Sequence, residues 1–216
     1  MPILSVVALK GGVGKSTLVT AIAVELSQRH NKVLIADTDP QGTAVCWGAI
    51  LGADSLAVVP WPNPNYRDGF TKRAKEYDWT IIDTPPHAGP IMRAALVIAD
   101  LALLPTVPGA ADAWALGETI AVFQEAQKIR PELGGAVLLN RVSRRTALGA
   151  SARGALSDCG MPILKTELGI RVAYAEAMAA GKGPTTYASS SPAAAEVREL
   201  VDELERLARK WGRRAH

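Results

Sequence analysis

The chain has 216 residues, enough to bury a substantial core, and its 48% hydrophobic and 21% charged residues exclude a disordered tail or a coiled coil. Aromatic residues make up only 5%, so the apolar mass is mostly Ala, Val, Leu and Ile, as suits helices packed on a buried sheet. The formal net charge of +3 is unevenly spread: residues 1–140 sum to −2 and residues 141–216 to +5, a basic final third that suits either a polyanion or a solvated face.

The first apolar run, ILSVVAL (3–9), predicts a buried parallel strand. Glycines follow it and no charged segment or cleavage site accompanies it, which sets this N-terminus apart from a signal peptide. A helix is expected over 16–29, strand KVLIAD over 32–37, a helix over 43–51 and the shorter strand LAVVP over 56–60. The Pro/Asn-rich stretch PWPNPNYRDG (60–69) reads as a loop. A helix over 68–77 then leads to strand TIID (80–83), a helix over 90–98, strand LALLPTV (101–107), a helix over 112–129 and strand AVLLN (136–140). The final third holds helical patterns over 146–158, 172–180 and 193–211, with PILK (162–165) as the last strand. This alternation predicts an α/β fold, a doubly wound, mostly parallel sheet flanked by helices and joined by right-handed crossovers, in a single domain over 1–216. No apolar run approaches the roughly 20 residues that span a bilayer. Cys46 and Cys159 form neither a disulfide framework nor a C-x-x-C site, so a soluble cytoplasmic protein is expected. Functional groups belong at the carboxyl ends of the strands.

Behind the first strand stands Lys10-Gly11-Gly12-Val13-Gly14-Lys15-Ser16-Thr17. Glycines let successive N–H groups curl towards phosphate oxygens, and a helix starting near Ser16 adds its positive end. Lys15 can then reach the β- and γ-phosphates, and the Ser16 hydroxyl can ligate Mg2+. The common G-x-x-x-x-G-K-[ST] loop carries a glycine five residues before Gly14; this chain has Leu9 there, and a second lysine, Lys10, opens the loop. The next strand closes on Asp37-Thr38-Asp39-Pro40-Gln41-Gly42, whose two carboxylates point the same way from extended chain. A carboxylate in that place can position an attacking water and accept its proton. A further strand runs Trp79-Thr80-Ile81-Ile82-Asp83-Thr84-Pro85-Pro86, an apolar run closing on an Asp suited to hold Mg2+ through water, and the loop over 87–92 is placed to respond to a γ-phosphate. Asn140 closes LLNR, where its amide suits a base edge or a turn.

With K-G-G-x-x-K-[ST] and D-x-D-P-Q in this order, the chain resembles the ParA/MinD family of deviant Walker A P-loop ATPases, and within it the small ParA-type partition ATPases that lack an N-terminal DNA-binding domain. The resemblance is strong over residues 2–140 and continues in RVAYAEAMAAGKGP (171–184) and in the helix from Glu196. It implies a P-loop NTPase fold, ATP and Mg2+ as cofactors, and slow ATP hydrolysis stimulated by a ParB-like or cargo-adaptor protein. By the same resemblance Lys10 reaches across an ATP-bound homodimer to the partner's nucleotide, and Asp39 orients water. Asp37 supports Mg2+ or the switch loop, Ser16 and Asp83 serve the metal, and Asn140 recognises adenine. Pro105-Thr106-Val107-Pro108 resembles the segment that follows the next strand in the family.

Such partition ATPases bind duplex DNA without sequence preference when dimerised by ATP, through scattered basic residues near the C-terminus. Here Arg144, Arg145, Arg171, Lys182, Arg198, Arg206, Arg209, Lys210, Arg213 and Arg214 are the candidates, and a nucleoid-associated place in the cytoplasm follows. The chain starts at its first strand, so no N-terminal helix-turn-helix is expected. Its cargo would be a plasmid, a chromosome or a protein assembly such as a chemoreceptor cluster or carboxysome. The alternative is a MinD-like ATPase cycling on a membrane through the last helix, where Val197, Leu200, Val201, Leu204, Leu207, Ala208 and Trp211 form an apolar stripe. Glu196, Glu199, Asp202, Glu203 and Glu205 flank that stripe and would be repelled by anionic lipid, so packing on the sheet is expected. A metabolic ATP-dependent ligase is a third class, disfavoured by Lys10 together with D-x-D-P-Q.

Overall fold

The computed structural model describes residues 1–51, 56–63, 69–87 and 89–212. The first half runs β1 (Ile3–Val6), α1 (Lys15–Gln28), β2 (Val33–Asp37), α2 (Thr43–Leu51), β3 (Leu56–Pro60), α3 (Phe70–Ala74) and β4 (Trp79–Asp83). The second half runs α4 (Pro90–Ile98), β5 (Leu101–Thr106), α5 (Ala110–Ile129), β6 (Gly134–Val142), α6 (Ala147–Ala155), β7 (Ile163–Gly169), α7 (Val172–Ala179), α8 (Pro184–Tyr187) and α9 (Pro192–Gly212). The seven strands form one sheet in the order β3-β2-β4-β1-β5-β6-β7. Every neighbouring pair is parallel, so the fold is doubly wound α/β.

Both faces of the sheet are covered, which is why the strands read as nearly continuous apolar runs rather than as an alternation. Leu4, Val6, Ile35, Ile81, Leu103 and Leu138 pack on one face against α1, α2 and α9. Ile82, Ala102, Leu104, Val137 and Leu139 pack on the other against α3, α4, α5 and α6. The chain turns back on itself around β1: α1 carries it past β4 to β2, and α4 carries it past β1 to β5. The loops after β1, β2, β4 and β6 therefore open into one crevice at the carboxyl ends of the strands.

The structure corrects several expected boundaries. The helix expected over 68–77 is the short α3, because only Phe70 and Ala74 find a place in the core before Asp78 N returns to the sheet by donating to Lys32 O at 2.8 Å. Thr146 caps α6 rather than joining it, its hydroxyl accepting from Gly149 N at 3.1 Å. Strand β6 begins two residues early, at glycines whose missing side chains leave room for two rings. A Cβ at Gly134 would lie 2.2 Å from Trp211, and one at Gly135 2.6 Å from Phe123. Strand β7 extends to Gly169 although Lys165, Thr166 and Glu167 are polar, since it is an edge strand with one side partly open. The short helix α8 carries no periodicity long enough to announce it. Of the loop over 60–69, residues 64–68 lie outside the described residues. So does Ala88 of the expected switch loop 87–92, whose last three residues already belong to α4.

Candidate functional site

The loop from β1 to α1 curls because Gly12 and Gly14 take φ values of 79° and 94°, a left-handed region that costs an L side chain about 1–2 kcal/mol. A Cβ on Gly14 would also lie 2.8 Å from Asn140 Nδ2. Gly14 caps α1 without a side chain, so the first N–H groups of the helix have no side-chain partner in the loop they face. Lys15 opens that helix and is only 7% exposed, its Nζ folded back to donate to Ala8 O at 3.2 Å. Burial lowers its pKa, while Asp83 and Asp39 push it back up. A cation is thus held beside the curled loop and the first turn of α1, an arrangement that can hold phosphate oxygens.

The carboxylates come from β4, the neighbour of β1, and from β2 on its far side. Asp37 and Asp83 are register partners at the ends of β2 and β4. Thr38 donates to Asp83 O from its N–H at 3.0 Å and its Oγ1 at 2.6 Å, and Thr84 Oγ1 donates to Val6 O at 2.8 Å. These buried hydroxyls stitch the three strand ends together and set the carboxylates in place. Asp37 spends its oxygens on backbone, Oδ1 accepting from Asp39 N at 3.1 Å and Oδ2 from Val45 N at 3.0 Å in the first turn of α2. Burial raises its pKa, and the N–H groups of Val45, Asp39 and Ala44 pull it down. Asp39 is half-buried, with Oδ1 accepting from Gln41 N at 3.0 Å.

Asp83 differs from both. It is fully buried and neither of its oxygens has a hydrogen-bond partner. Burial pushes its carboxyl up to about 7; the nearby Ser16 hydroxyl and Lys15 pull it down, while Asp37 and Asp39 push it further up. An unpaired buried acceptor costs about 1–3 kcal/mol, and interiors hold few of them. Two on one carboxylate, beside Ser16 and Lys15, fit a hydrated Mg2+, which takes one or two protein oxygens and completes its shell with water and phosphate. Among the described residues no group of three or more His, Cys, Asp or Glu side chains gathers to make a protein-only metal cage.

Asn140 joins the loop to the end of β6. Its Nδ2 donates to Val13 O at 2.8 Å and its Oδ1 accepts from Arg141 N at 2.9 Å. An amide has two N–H donors and two lone pairs, so one of each is left for a base edge. A cavity of about 140 Å3 opens there between Gly14, Thr17, Asn140, Gly169, Arg171 and Tyr174. Thr17 sends its Oγ1 to Met178 Sδ at 3.4 Å. Gly11 and Gly12 are exposed on the outer side of the loop, and Ser16 is half-buried.

Residues 4–185 match the model of CbiA, the CobQ/CobB/MinD/ParA nucleotide binding domain. The chain belongs to this family. It is 30% identical over 206 residues to maintenance of carboxysome distribution protein A of Halothiobacillus neapolitanus, covering 93% of this chain and 95% of that one. It is 25% identical to the chromosome-partitioning ATPase Soj of Thermus thermophilus, covering 90% and 92%. The septum site-determining protein MinD of Pyrococcus horikoshii, complexed with Mg-ADP, shares its fold with a TM-score of 0.76 at 21% identity, covering 96% and 97%.

Two residues of this ParA/MinD-type site escape the motifs. Lys10, 42% exposed at its side chain, pairs with Asp112 Oδ1 at 2.7 Å, and Leu9 N donates to Thr119 Oγ1 at 3.2 Å. Helix α5 therefore holds the opening of the loop. In sequence Asp112 signals only an acidic residue in a helix's first turn, which the helix dipole explains by itself.

Three of the basic candidates, Arg144, Arg145 and Arg171, line one open cavity together with Lys165, and the others among the described residues do not line it. Arg171 is ion-paired with Glu196 at 2.8 Å and Arg144 with Glu167 at 2.9 Å, while Arg198 donates to Ser189 O at 2.9 Å. Arg145 and Lys182 are exposed, and Arg206, Arg209 and Lys210 lie exposed along the last turns of α9. Arg213 and Arg214 lie outside the described residues. The apolar stripe of α9 is taken up by the protein itself: Val197, Leu200, Val201 and Leu204 are buried, with Leu207, Ala208 and Trp211 packed beside them. No helix among the described residues is long and apolar enough to cross a membrane.

Proposed function

We propose that the chain is an Mg2+-dependent ATPase switch of ParA type, which dimerises with ATP, binds duplex DNA without sequence preference in that state, and positions a cargo through a stimulating adaptor protein. The observation that carries the reading is the orphaned Asp83 carboxylate opposite Ser16 and the curled loop. In this reading Lys15 and the amides of Gly11 to Thr17 hold the phosphates, and Ser16 and Asp83 hold the ion. When bound, Mg2+ neutralises charge on the phosphates. Asp39 orients a water and takes its proton as ATP is cut to ADP and phosphate. Asp37 braces the Asp39 turn, and Asn140 turns its remaining amide groups to adenine. Lys10 leaves Asp112 to reach the partner's nucleotide across the homodimer. The relative from Halothiobacillus, similar over nearly the whole chain, supports a large protein assembly as cargo, and the resemblance to partition ATPases supports a nucleoid-associated place in the cytoplasm.

The test is binding of non-specific duplex DNA with ATP, ADP or no nucleotide, in an Asp39→Ala background that suppresses hydrolysis, read by fluorescence anisotropy. Binding is expected with ATP alone, weakening at least tenfold between about 50 and about 200 mM salt as released counterions lose their advantage. An ATP dimer without affinity for DNA, or binding that ignores the nucleotide, overturns the reading.

A further inference from the structure

Behind the cavity beside Asn140 stands a side chain that does not line it. Glu196, in the second turn of α9 and 16% exposed, accepts four hydrogen bonds. Its Oε2 takes Gly169 N at 3.1 Å and the Tyr174 hydroxyl at 3.1 Å, and its Oε1 takes Arg171 Nε at 3.1 Å and Nη2 at 2.8 Å. Gly169, Arg171 and Tyr174 all line the cavity, yet they come from the end of β7, the turn after it and the first turn of α7. One carboxylate thus ties three separate wall segments to a single point on α9. Burial and the Glu196 carboxylate hold the Tyr174 phenol far above its ordinary pKa, so it remains a donor. The facing wall is fixed separately, by Asn140 on Val13 O.

Glu203 provides the contrast. Seven residues further along α9, it meets the same strand, its Oε1 accepting from Lys165 N at 2.9 Å and its Oε2 from Thr166 N at 3.1 Å. Two carboxylates one heptad apart share a helix face, and both cover the open edge of β7. The partners of Glu203, however, do not line the cavity. Edge protection is common to the pair, and the wall belongs to Glu196.

The cavity, at about 140 Å3, is well below the ~300–1,000 Å3 of pockets that enclose whole ligands, so it suits one ring system next to the phosphate loop. We propose that Glu196 is a positioning residue for recognition of the nucleotide base, holding Tyr174, Arg171 and Gly169 in the arrangement that admits a purine and making base affinity depend on the docking of α9. This rests on the nucleotide reading above.

Calorimetric titration of the full chain with Mg-ADP and with Mg-tripolyphosphate separates base from phosphate. Glu196→Gln keeps the shape but sets an NH2 donor against groups that are themselves donors, so at least one wall segment is released. ADP affinity is expected to fall about tenfold, the scale of a lost charge-assisted bond, with tripolyphosphate affinity kept within about twofold. Tyr174→Phe, which keeps the ring and loses the tether, should weaken ADP in the same direction. Glu203→Gln should leave both ligands within about twofold, although it too removes edge bonds. Glu196→Gln weakening both ligands equally, or Glu203→Gln reproducing its effect, overturns the proposal. Wild-type protein that binds tripolyphosphate as tightly as ADP overturns the base cavity and the role of Glu196 while the phosphate site stands. Wild-type protein that binds neither overturns the nucleotide reading itself.

Discussion

A buried carboxylate with neither oxygen in a hydrogen bond is costly, and Asp83 carries that cost in the sheet, beside Ser16 and the loop that starts α1. Its neighbours show how differently the same side chain can be used. Asp37 is consumed by backbone N–H groups, Asp39 by a turn, and Asp112 by Lys10. Asp83→Asn removes the charge and keeps the shape. It is expected to raise the melting temperature of the nucleotide-free protein by about 2–4 °C, equivalent to about 1 kcal/mol in a chain of this length. The same variant should lose the extra stabilisation that Mg2+ adds to ADP. Thermal melts with ADP, with and without Mg2+, check both halves; a variant that still responds to Mg2+ contradicts the assignment of Asp83 to the ion.

At the scale of elements, α1 and α9 are tied to each other through one cation. Arg29, at the end of α1 and 26% exposed, donates to Glu25 at 2.8 Å and across to α9 at Asp202 (2.6 Å), Glu205 (3.3 Å) and Arg198 O (3.2 Å). Its pKa is raised by the hydrogen bonds and charges of Glu25 and Asp202, against the opposing effect of burial. Arg29→Ala leaves Glu25, itself buried, without its cation, so unfolding free energy should fall by about 2–4 kcal/mol. Arg93 and Glu125 form an ion pair with both side chains about half exposed, and Arg93→Ala should cost under about 1 kcal/mol. Urea unfolding of the two variants side by side checks the difference, and equal losses would mean that α9 is not clamped through Arg29. The same helix shows why amphipathicity could not choose between a membrane and a sheet. The stripe from Val197 to Trp211 is visible in sequence, but its occupant is the sheet of the same chain.

At the scale of the molecule, the final third keeps its net excess of positive charge, because its internal ion pairs use acidic residues already counted in that sum. Arg144, Arg153 and Arg171 face glutamates, and the acidic residues Asp202 and Glu205 face Arg29, so the exposed cations of α9 narrow to Arg206, Arg209 and Lys210. Replacing these three by alanine is expected to reduce the slope of log affinity against log salt for duplex DNA by about two to three for each protomer of the ATP dimer, since each phosphate contact contributes about 0.9. Basal ATP turnover should be unaltered, because none of the three approaches the loop. An unaltered slope would move the DNA contacts to other residues.

Features that depend on neighbours along the chain were legible in the order of residues. Apolar runs announced the strands, glycines before Gly14-Lys15-Ser16 announced the curled loop, and Asp37 and Asp83 stood where a strand must end. Those features are local because a turn, a cap or a strand end is built from a few consecutive residues. Features that depend on partners far along the chain took shape only on folding. Lys10 meets Asp112 across 102 positions, Asn140 meets Val13 across 127, and Glu196 meets Gly169 across 27. The edge strand β7 could not be measured in sequence for the same reason, since its polar residues are satisfied by carboxylates of α9 rather than by alternation within the strand. Hydrogen bonds of this kind leave no periodicity, because folding alone brings their two halves together.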